Sequence, residues 1–217
     1  HLPLGTAEIE ADRPQGVHGV FEDALPDDWG RALLSAKYHI PRAEQTVPNL
    51  LKFLGTSGLG ALSFYSGKEN AYVDPSAAIH NLSGIVEAAL NFDAGLPVDG
   101  NDLKALFICG SSPGGARPKA LIKTNDGRQW IAKFPKLNDR YHVEAIEAGT
   151  LCLADNAGLN VPNFFIQKAG KRSVLFVERF DMTASLGRNH MISMQTLLDA
   201  DGYYNLSYSD MFLIINK

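Results

Sequence analysis

Cysteine is scarce in this chain: two of 217 residues, Cys109 and Cys152, each inside an apolar run. No Cys-x-x-Cys unit or Cys/His pairing accompanies them, so a zinc site has no support, and both thiols are expected to be buried and free. Long apolar runs are also missing. No stretch is long enough for a membrane helix, and no charged-then-apolar leader is present, so the expected setting is the cytoplasm without membrane attachment. The Asn-Leu-Ser sequons at Asn81 and Asn205 are then accidental. A strong charge of one sign is absent too: a net charge of −4 creates no global field that draws in nucleic acid or anionic lipid. A local basic groove from Arg13, Arg31, Arg42, Arg117, Lys119, Lys123 and Arg128 could still form on folding.

Several chemical signatures are absent as well. His18, His39, His80, His142 and His190 show no metal-ligand spacing, and His1 is only the first residue. The DADG string at 199–202 is too short for a calcium loop. No G-x-S-x-G elbow supports a hydrolase triad. Neither an internal repeat nor a low-complexity segment is visible. The chain opens without methionine and stops at IINK, inside an apolar helical pattern, so both ends are expected to be cut.

What is present is an ordered set of helix and strand signals. Asp27 or Asp28 can cap a helix whose apolar face starts with Trp29, Leu33 and Leu34. A second helix is expected around Ala43–Leu54, with Pro48 setting a boundary or kink. Glycines in FLGTSGLGALSFYSG favour turns around a short strand, Ala61–Tyr65. Helical spacing returns over Pro75–Asn91 and Leu103–Cys109. ALIKTNDGRQWIAKFP reads as a hairpin about Asn125-Asp126-Gly127. Arg140–Ala157 reads as helix, stopped by Gly158 and Pro162. Strands Phe164–Lys168 and Ser173–Phe180 flank an AGKR turn, and helices follow at His190–Asp199 and Ser207–Asn216. Helices, then an antiparallel sheet of five or fewer strands with one crossing helix, then helices again: that order argues α+β.

The residues that could carry chemistry lie between 110 and 181. The loop GSSPGGARPKA has small residues whose backbone N–H groups can surround phosphate oxygens, and Ser111, Ser112, Gly114 and Gly115 suit that role. The loop matches neither the P-loop nor the dinucleotide pattern, so an ordinary turn stays open beside it. If Trp130, Ala132 and Phe134 face one side of their strand, Lys133 faces the other with Ile131 and Gln129. Lys133 is then either an edge lysine that discourages aggregation or a cation aimed at nucleotide phosphates. On the next helix, Val143, Ile146, Thr150, Leu153, Ala154 and Ala157 make one stripe, expected to be buried. Glu147 falls within it and Glu144 on its edge. A carboxylate turned into a core needs a partner, and Lys133 is the obvious one, so Glu147 is the first choice and Glu144 the reserve. VERFD ends an apolar strand in a charged cluster. It is either a hinge offering backbone groups to an adenine edge, with Phe180 against the ring, or a strand end with a solvated Glu178–Arg179 pair.

Seven blocks in this order, GVFEDALPDDWGR, FLGTSGLGALSF, GSSPGGARPKALI, WIAKFP, GLNVP, VERFD and GRNHMISMQTLL, resemble the HipA family of bacterial toxin–antitoxin serine/threonine kinases. The resemblance implies a kinase-like N-lobe (antiparallel sheet plus helix) with an extra helical N-terminal subdomain and the start of a helical C-lobe. The corresponding divisions are 1–74, 75–180 and 181–217. It also implies ATP-binding roles for the glycine-rich loop (Ser111, Ser112, Gly114, Gly115), for Lys133 with Glu147, and for a hinge at Glu178, Arg179 and Phe180. Ser112 matches the serine that the family autophosphorylates. The implied cofactors are ATP and Mg2+. The implied partners are a helix-turn-helix antitoxin of HipB type, DNA indirectly through that antitoxin, and a protein substrate, aminoacyl-tRNA synthetases being among the family's substrates.

The chain also departs from the family pattern. Met182 replaces the usual basic residue after ERFD. Asp210 stands in SDMF, which is neither HRD nor DFG, and the chain stops before a catalytic or metal-binding aspartate would be expected. This polypeptide is therefore expected to lack phosphoryl transfer, with no catalytic or metal residue of its own, even where its parent has that activity. The alternative class is a non-catalytic regulatory or nucleotide-sensing module on the same fold. A glycine-loop ligase or small-molecule kinase on a related scaffold is a third.

Overall fold

The computed structural model describes residues 8–11, 13, 16–65, 67, 77–78, 82–103, 106, 116–124, 126–183, 185, 187–200 and 206–216. Two helices lead the chain, α1 (Gly19–Glu22) and α2 (Asp28–Tyr38). Asp27 caps α2: its side chain accepts a hydrogen bond from the Gly30 N–H at 3.3 Å and so satisfies one of the orphan donors of the first turn. α3 spans Val47–Leu54, shorter than the expected Ala43–Leu54 helix, and a separate 3-10 turn covers Arg42–Glu44. Pro48 explains the division. It sits in the first turn of α3, where its missing N–H leaves no bond unmade and its fixed φ suits the helix. The anticipated strand Ala61–Tyr65 does not form; these residues follow the α3 helix as irregular chain.

A short strand, β1 (Ala77–Ala78), precedes α4 (Leu82–Asp93). The helix expected over Pro75–Asn91 thus begins later, and its first turns as read from the sequence fall partly on β1 and partly outside the described residues. Of the helix expected at Leu103–Cys109, helical backbone is seen at 100–103 and 106, and the remainder lies outside the described residues. The hairpin β2 (Lys119–Lys123) and β3 (Gln129–Lys133) forms as its turn residues demand, with Gly127 at φ 86. Asp126 organises that turn by accepting from Thr124 and Arg128. Those bonds, the Thr124 hydroxyl first, hold its carboxyl down at about 2.

After β3 the chain crosses the sheet as α5 (Val143–Asn156), then returns as β4 (Phe164–Ala169) and β5 (Arg172–Glu178). The sheet order is β1-β2-β3-β5-β4. Three of its pairings are antiparallel; β1 lies parallel to β2, a departure from the all-antiparallel sheet expected. One sheet face, with Ala120, Ile122, Trp130, Ala132, Val174 and Phe176, packs with Trp29 and Leu33 of α2 and the buried side of α4. The other face meets α5, where Ala148 closes over Leu175 and Val177. A separate apolar cluster joins Leu34 of α2 to Val47, Leu50, Leu51 and Leu54 of α3. Short helices α6 (Met194–Leu197) and α7 (Tyr208–Ile215) end the described chain, the latter closed by a capping box between Ser207 and Asp210.

The segment after α3 is held by polar contacts rather than by pairing in a sheet. Arg188 donates to the carbonyls of Thr56 at 2.6 Å, Gly58 at 3.0 Å and Gly60 at 3.2 Å. Backbone passes close by: a Cβ at Gly58 would lie 2.7 Å from the Ala24 carbonyl oxygen. Gly58→Ala should therefore lower stability by about 1–3 kcal/mol, the usual cost of forcing extra volume into a packed site. An unchanged melting temperature would refute that close approach.

Candidate functional site

The site grows out of the hairpin's register. In β2 and β3, Lys119 is the direct cross-strand partner of Lys133, so the two side chains leave the sheet on the same face, about 5 Å apart at Cβ. Two ammonium groups so placed repel unless each has an anion. Lys133 Nζ is bonded to Glu147 of α5. Lys119 Nζ donates to Asp27 Oδ2 at 2.8 Å, so the same carboxylate that caps α2 also ties that helix to the hairpin. Lys119 is almost fully buried, and burial pulls its ammonium below the ordinary lysine value despite the Asp27 bond. The Lys133 and Glu147 side chains remain 32% and 37% exposed, so a ligand can reach that pair.

α5 presents a different side to the sheet from the one its apolar residues suggested. Ile146 and Leu153 are 58% and 71% exposed, and Thr150 and Ala157 are exposed too. The side that meets the sheet carries Glu144, Glu147, Ala148 and Leu151, spaced three, four and seven residues along one face. At 100° per residue, Ile146 and Leu153 lie on the far side. In this rotation both carboxylates reach cations while Ala148 and Leu151 pack on the sheet. Glu144, the reserve partner for Lys133, is bound instead by Arg117, 3.1 Å from its Oε1. The same guanidinium grips Asp139 through two bonds, one of them 2.9 Å. The Arg117 bonds hold the Asp139 carboxyl below the usual carboxylate range, and Asp139 in turn raises the Arg117 value.

At the far end of β5, Arg179 is buried, not solvated as the strand-end reading supposed. Its Nε and one terminal nitrogen fork onto Asp181 at 2.7 and 2.5 Å, and the other nitrogen donates to Gln129 Oε1 at 3.0 Å. Asp181 also accepts from the Gly60 N–H at 3.0 Å. Burial alone would raise the Asp181 carboxyl, but the Arg179 bonds and charge outweigh it and hold the group low. Glu178 instead pairs with Asn163 and lies 4.0 Å from Arg128. Phe180 is 58% exposed, its ring open to solvent. The backbone here is anchored on both sides: the Glu178 N–H donates to Asn163 O and the Arg179 N–H to Gln129 O.

Of the residues singled out from sequence, Lys133 and Glu147 meet, and Glu178, Arg179 and Phe180 follow in one short segment. Ser111, Ser112, Gly114 and Gly115 lie outside the described residues, as does Cys109. Cys152 is exposed, in contrast to the buried thiol expected; it shares the outward part of α5. Sequence reasoning missed the roles of Lys119, Asp181 and Arg188. The first could have been found by counting back across the hairpin turn from Lys133; Asp181 stands two residues from Arg179 but its bond to Gly60, like the three bonds of Arg188, joins residues more than a hundred positions apart. Among the described residues no group of three histidine, cysteine or acidic side chains is placed to hold a metal, and no helix is long and apolar enough to cross a membrane.

The HipA N-terminal domain family matches residues 1–65, and the HipA-like C-terminal domain family matches residues 111–217. The chain belongs to the HipA family. Its fold is similar to a chain of the Shewanella oneidensis MR-1 toxin–antitoxin complex of HipA, HipB and operator DNA, at 20% identity and a TM-score of 0.55 over 84% of the present chain. The match spans 44% of that solved chain, less than half its length. No curated protein matches.

The buried Arg179–Asp181 pair makes a pH prediction. Asp139 and Asp181 both titrate below the usual 3.8, so the folded state binds fewer protons than the unfolded chain between their lowered values and that figure. The stability they contribute is present above pH 4 and is lost as pH falls through the lowered values. Asp181→Asn should cost about 3–5 kcal/mol at pH 7, since it leaves a buried guanidinium without its counter-charge, and should flatten the acid limb. Denaturant unfolding at pH 7, 4 and 3 tests this; acid limbs of equal steepness in both proteins would refute it.

Proposed function

We propose that this chain carries the nucleotide-binding half of a HipA-type serine/threonine protein kinase. In this reading 75–180 is a kinase-like N-lobe, 1–74 part of an added N-terminal subdomain and 181–217 the start of the C-terminal lobe. The observation that carries it is the Lys133–Glu147 pair, formed between strand and helix and still reachable from solvent. Such a pair presents one ammonium at a fixed position, and a triphosphate oxygen can join the carboxylate in using its three donors. The loop with Ser111, Ser112, Gly114 and Gly115 would supply backbone N–H groups to the phosphates. The Glu178–Phe180 segment would supply backbone groups to the base, and its exposed Phe180 ring a surface for stacking.

The residues present fit the binding half of the reaction. Lys133 would neutralise phosphate charge and Glu147 would hold the lysine extended. Arg179 would act only through its main-chain carbonyl, because its side chain is spent on Asp181 and Gln129 and its N–H on the Gln129 carbonyl. Mg2+ and the base that accepts the substrate hydroxyl proton belong, in this reading, to the part of the relative's length that this chain does not span. A protein substrate and a HipB-type, DNA-binding antitoxin are proposed partners, the latter supported by the composition of the Shewanella complex. Phosphorylation of Ser112 would inhibit, because a dianion in the loop repels the phosphates that the loop cradles.

Calorimetric titration with Mg-ATP tests the site. Lys133→Ala should weaken binding by about 10–100-fold, the scale of one charged hydrogen bond, and Ser112→Asp should weaken it in the same direction. Equal affinity in wild type and Lys133→Ala would sink the nucleotide reading while leaving family membership intact.

A further inference from the structure

A cavity of about 360 Å3 opens between the β3–α5 loop and the β4–β5 turn, and neither Lys133 nor Glu147 lines it. Its wall brings together Lys136, Arg140, His142, Lys171, Arg172 and Ser173. The two carboxylates in the same wall, Asp139 and Glu144, are both engaged by Arg117, and Lys136 lies 3.5 Å from Asp93. With Arg117 and Asp93 included, cations outnumber carboxylates: Lys136, Arg140, Lys171, Arg172 and Arg117 against Asp93, Asp139 and Glu144. The side chains of Arg140, Lys171 and Arg172 make no hydrogen bond or ion pair among the described residues. The surplus is therefore concentrated on three uncommitted groups around one concavity.

That chemistry selects a compact anion of more than one charge. Two guanidinium forks and an ammonium match the oxygens of a phosphate monoester, which carries close to two charges and three strong acceptors at neutral pH. A single carboxylate would leave much of that donor set unused. The same wall includes two apolar side chains, Leu137 at 50% exposure and Tyr141 at 73%. A free phosphate would leave both wet, whereas a phosphate borne on a polypeptide can lay its neighbouring side chains on them. We propose that this cavity is a docking site for a phosphorylated serine or threonine segment of a protein, held by Arg140, Lys171 and Arg172. The site uses none of the nucleotide-binding residues, so it stands or falls separately from the kinase reading.

Fluorescence anisotropy on the 217-residue chain decides it, with a labelled phosphoserine peptide flanked by leucines, its unphosphorylated twin and inorganic phosphate as probes. The phosphopeptide should bind at least about tenfold more tightly than either control, and Arg140→Gln with Arg172→Gln should remove about tenfold or more of that affinity, as expected for loss of charged hydrogen bonds. The double variant should keep the wild-type circular dichroism, melting temperature and Mg-ATP titration. Should it misfold, Lys171→Gln, in an exposed turn, replaces it with the same expected direction. Equal binding of the two peptides, phosphopeptide binding unaltered by the variants, or inorganic phosphate binding as tightly as the phosphopeptide would each overturn the proposal.

Discussion

Two lysines side by side on one face of a hairpin set the main constraint on this molecule. Lys119 and Lys133 are register partners, and each requires an anion delivered from outside the sheet. Asp27 answers the first from the start of α2 and Glu147 the second from α5. Satisfying both fixes a helix on each side of the hairpin. Because Lys119 is buried while Lys133 is partly open, the two pairs differ in use: one is a structural tie, and the other stays available to a ligand.

The same demand explains why α5 leaves apolar side chains in water. Turning Ile146 and Leu153 inward would carry Glu147 away from Lys133 and Glu144 away from Arg117. The cations Lys133 and Arg117 would then face the sheet without their helix carboxylates. A second polar junction works at the other end of the sheet. Arg179, Asp181 and Gln129 form a closed unit that also takes the Gly60 N–H, and Arg188 gathers three carbonyls of the same glycine-rich segment. This junction joins residues 56–60 to the strand end at 178, just ahead of the stretch read as a short strand, whose Leu62 and Phe64 pack on the α2–α3 cluster instead of entering the sheet.

Much was legible in the residues because it depends on local rules. The hairpin follows from its Asn-Asp-Gly turn, α2 from its aspartate cap, and the facing of Lys133 from strict alternation along a strand. The Lys133–Glu147 contact was expected from the cost of a carboxylate turned into a core; the pair forms, although the apolar stripe from which the inward facing of Glu147 was read lies largely in solvent. Apolar spacing along α5 marks a stripe that the structure leaves largely outward, since spacing identifies the side facing the core only when packing outweighs charge. Of the two readings of VERFD, the strand end with a solvated Glu178–Arg179 pair fails, because a guanidinium can be buried where a carboxylate and an amide saturate it.

By itself the sequence determined the 119–133 hairpin and its register, helices α2 and α5, strands β4 and β5 and the family pattern of blocks, since each depends on residues a few positions apart or on their order. Tertiary structure decided which side of α5 meets the sheet, that Glu144 goes to Arg117 and not to Lys133, and that Arg179 turns inward. It also decided that three cations without a partner among the described residues line one cavity. Those outcomes turn on which charges come within a few ångströms of one another after folding, and Coulomb attraction depends on that distance, not on separation along the chain.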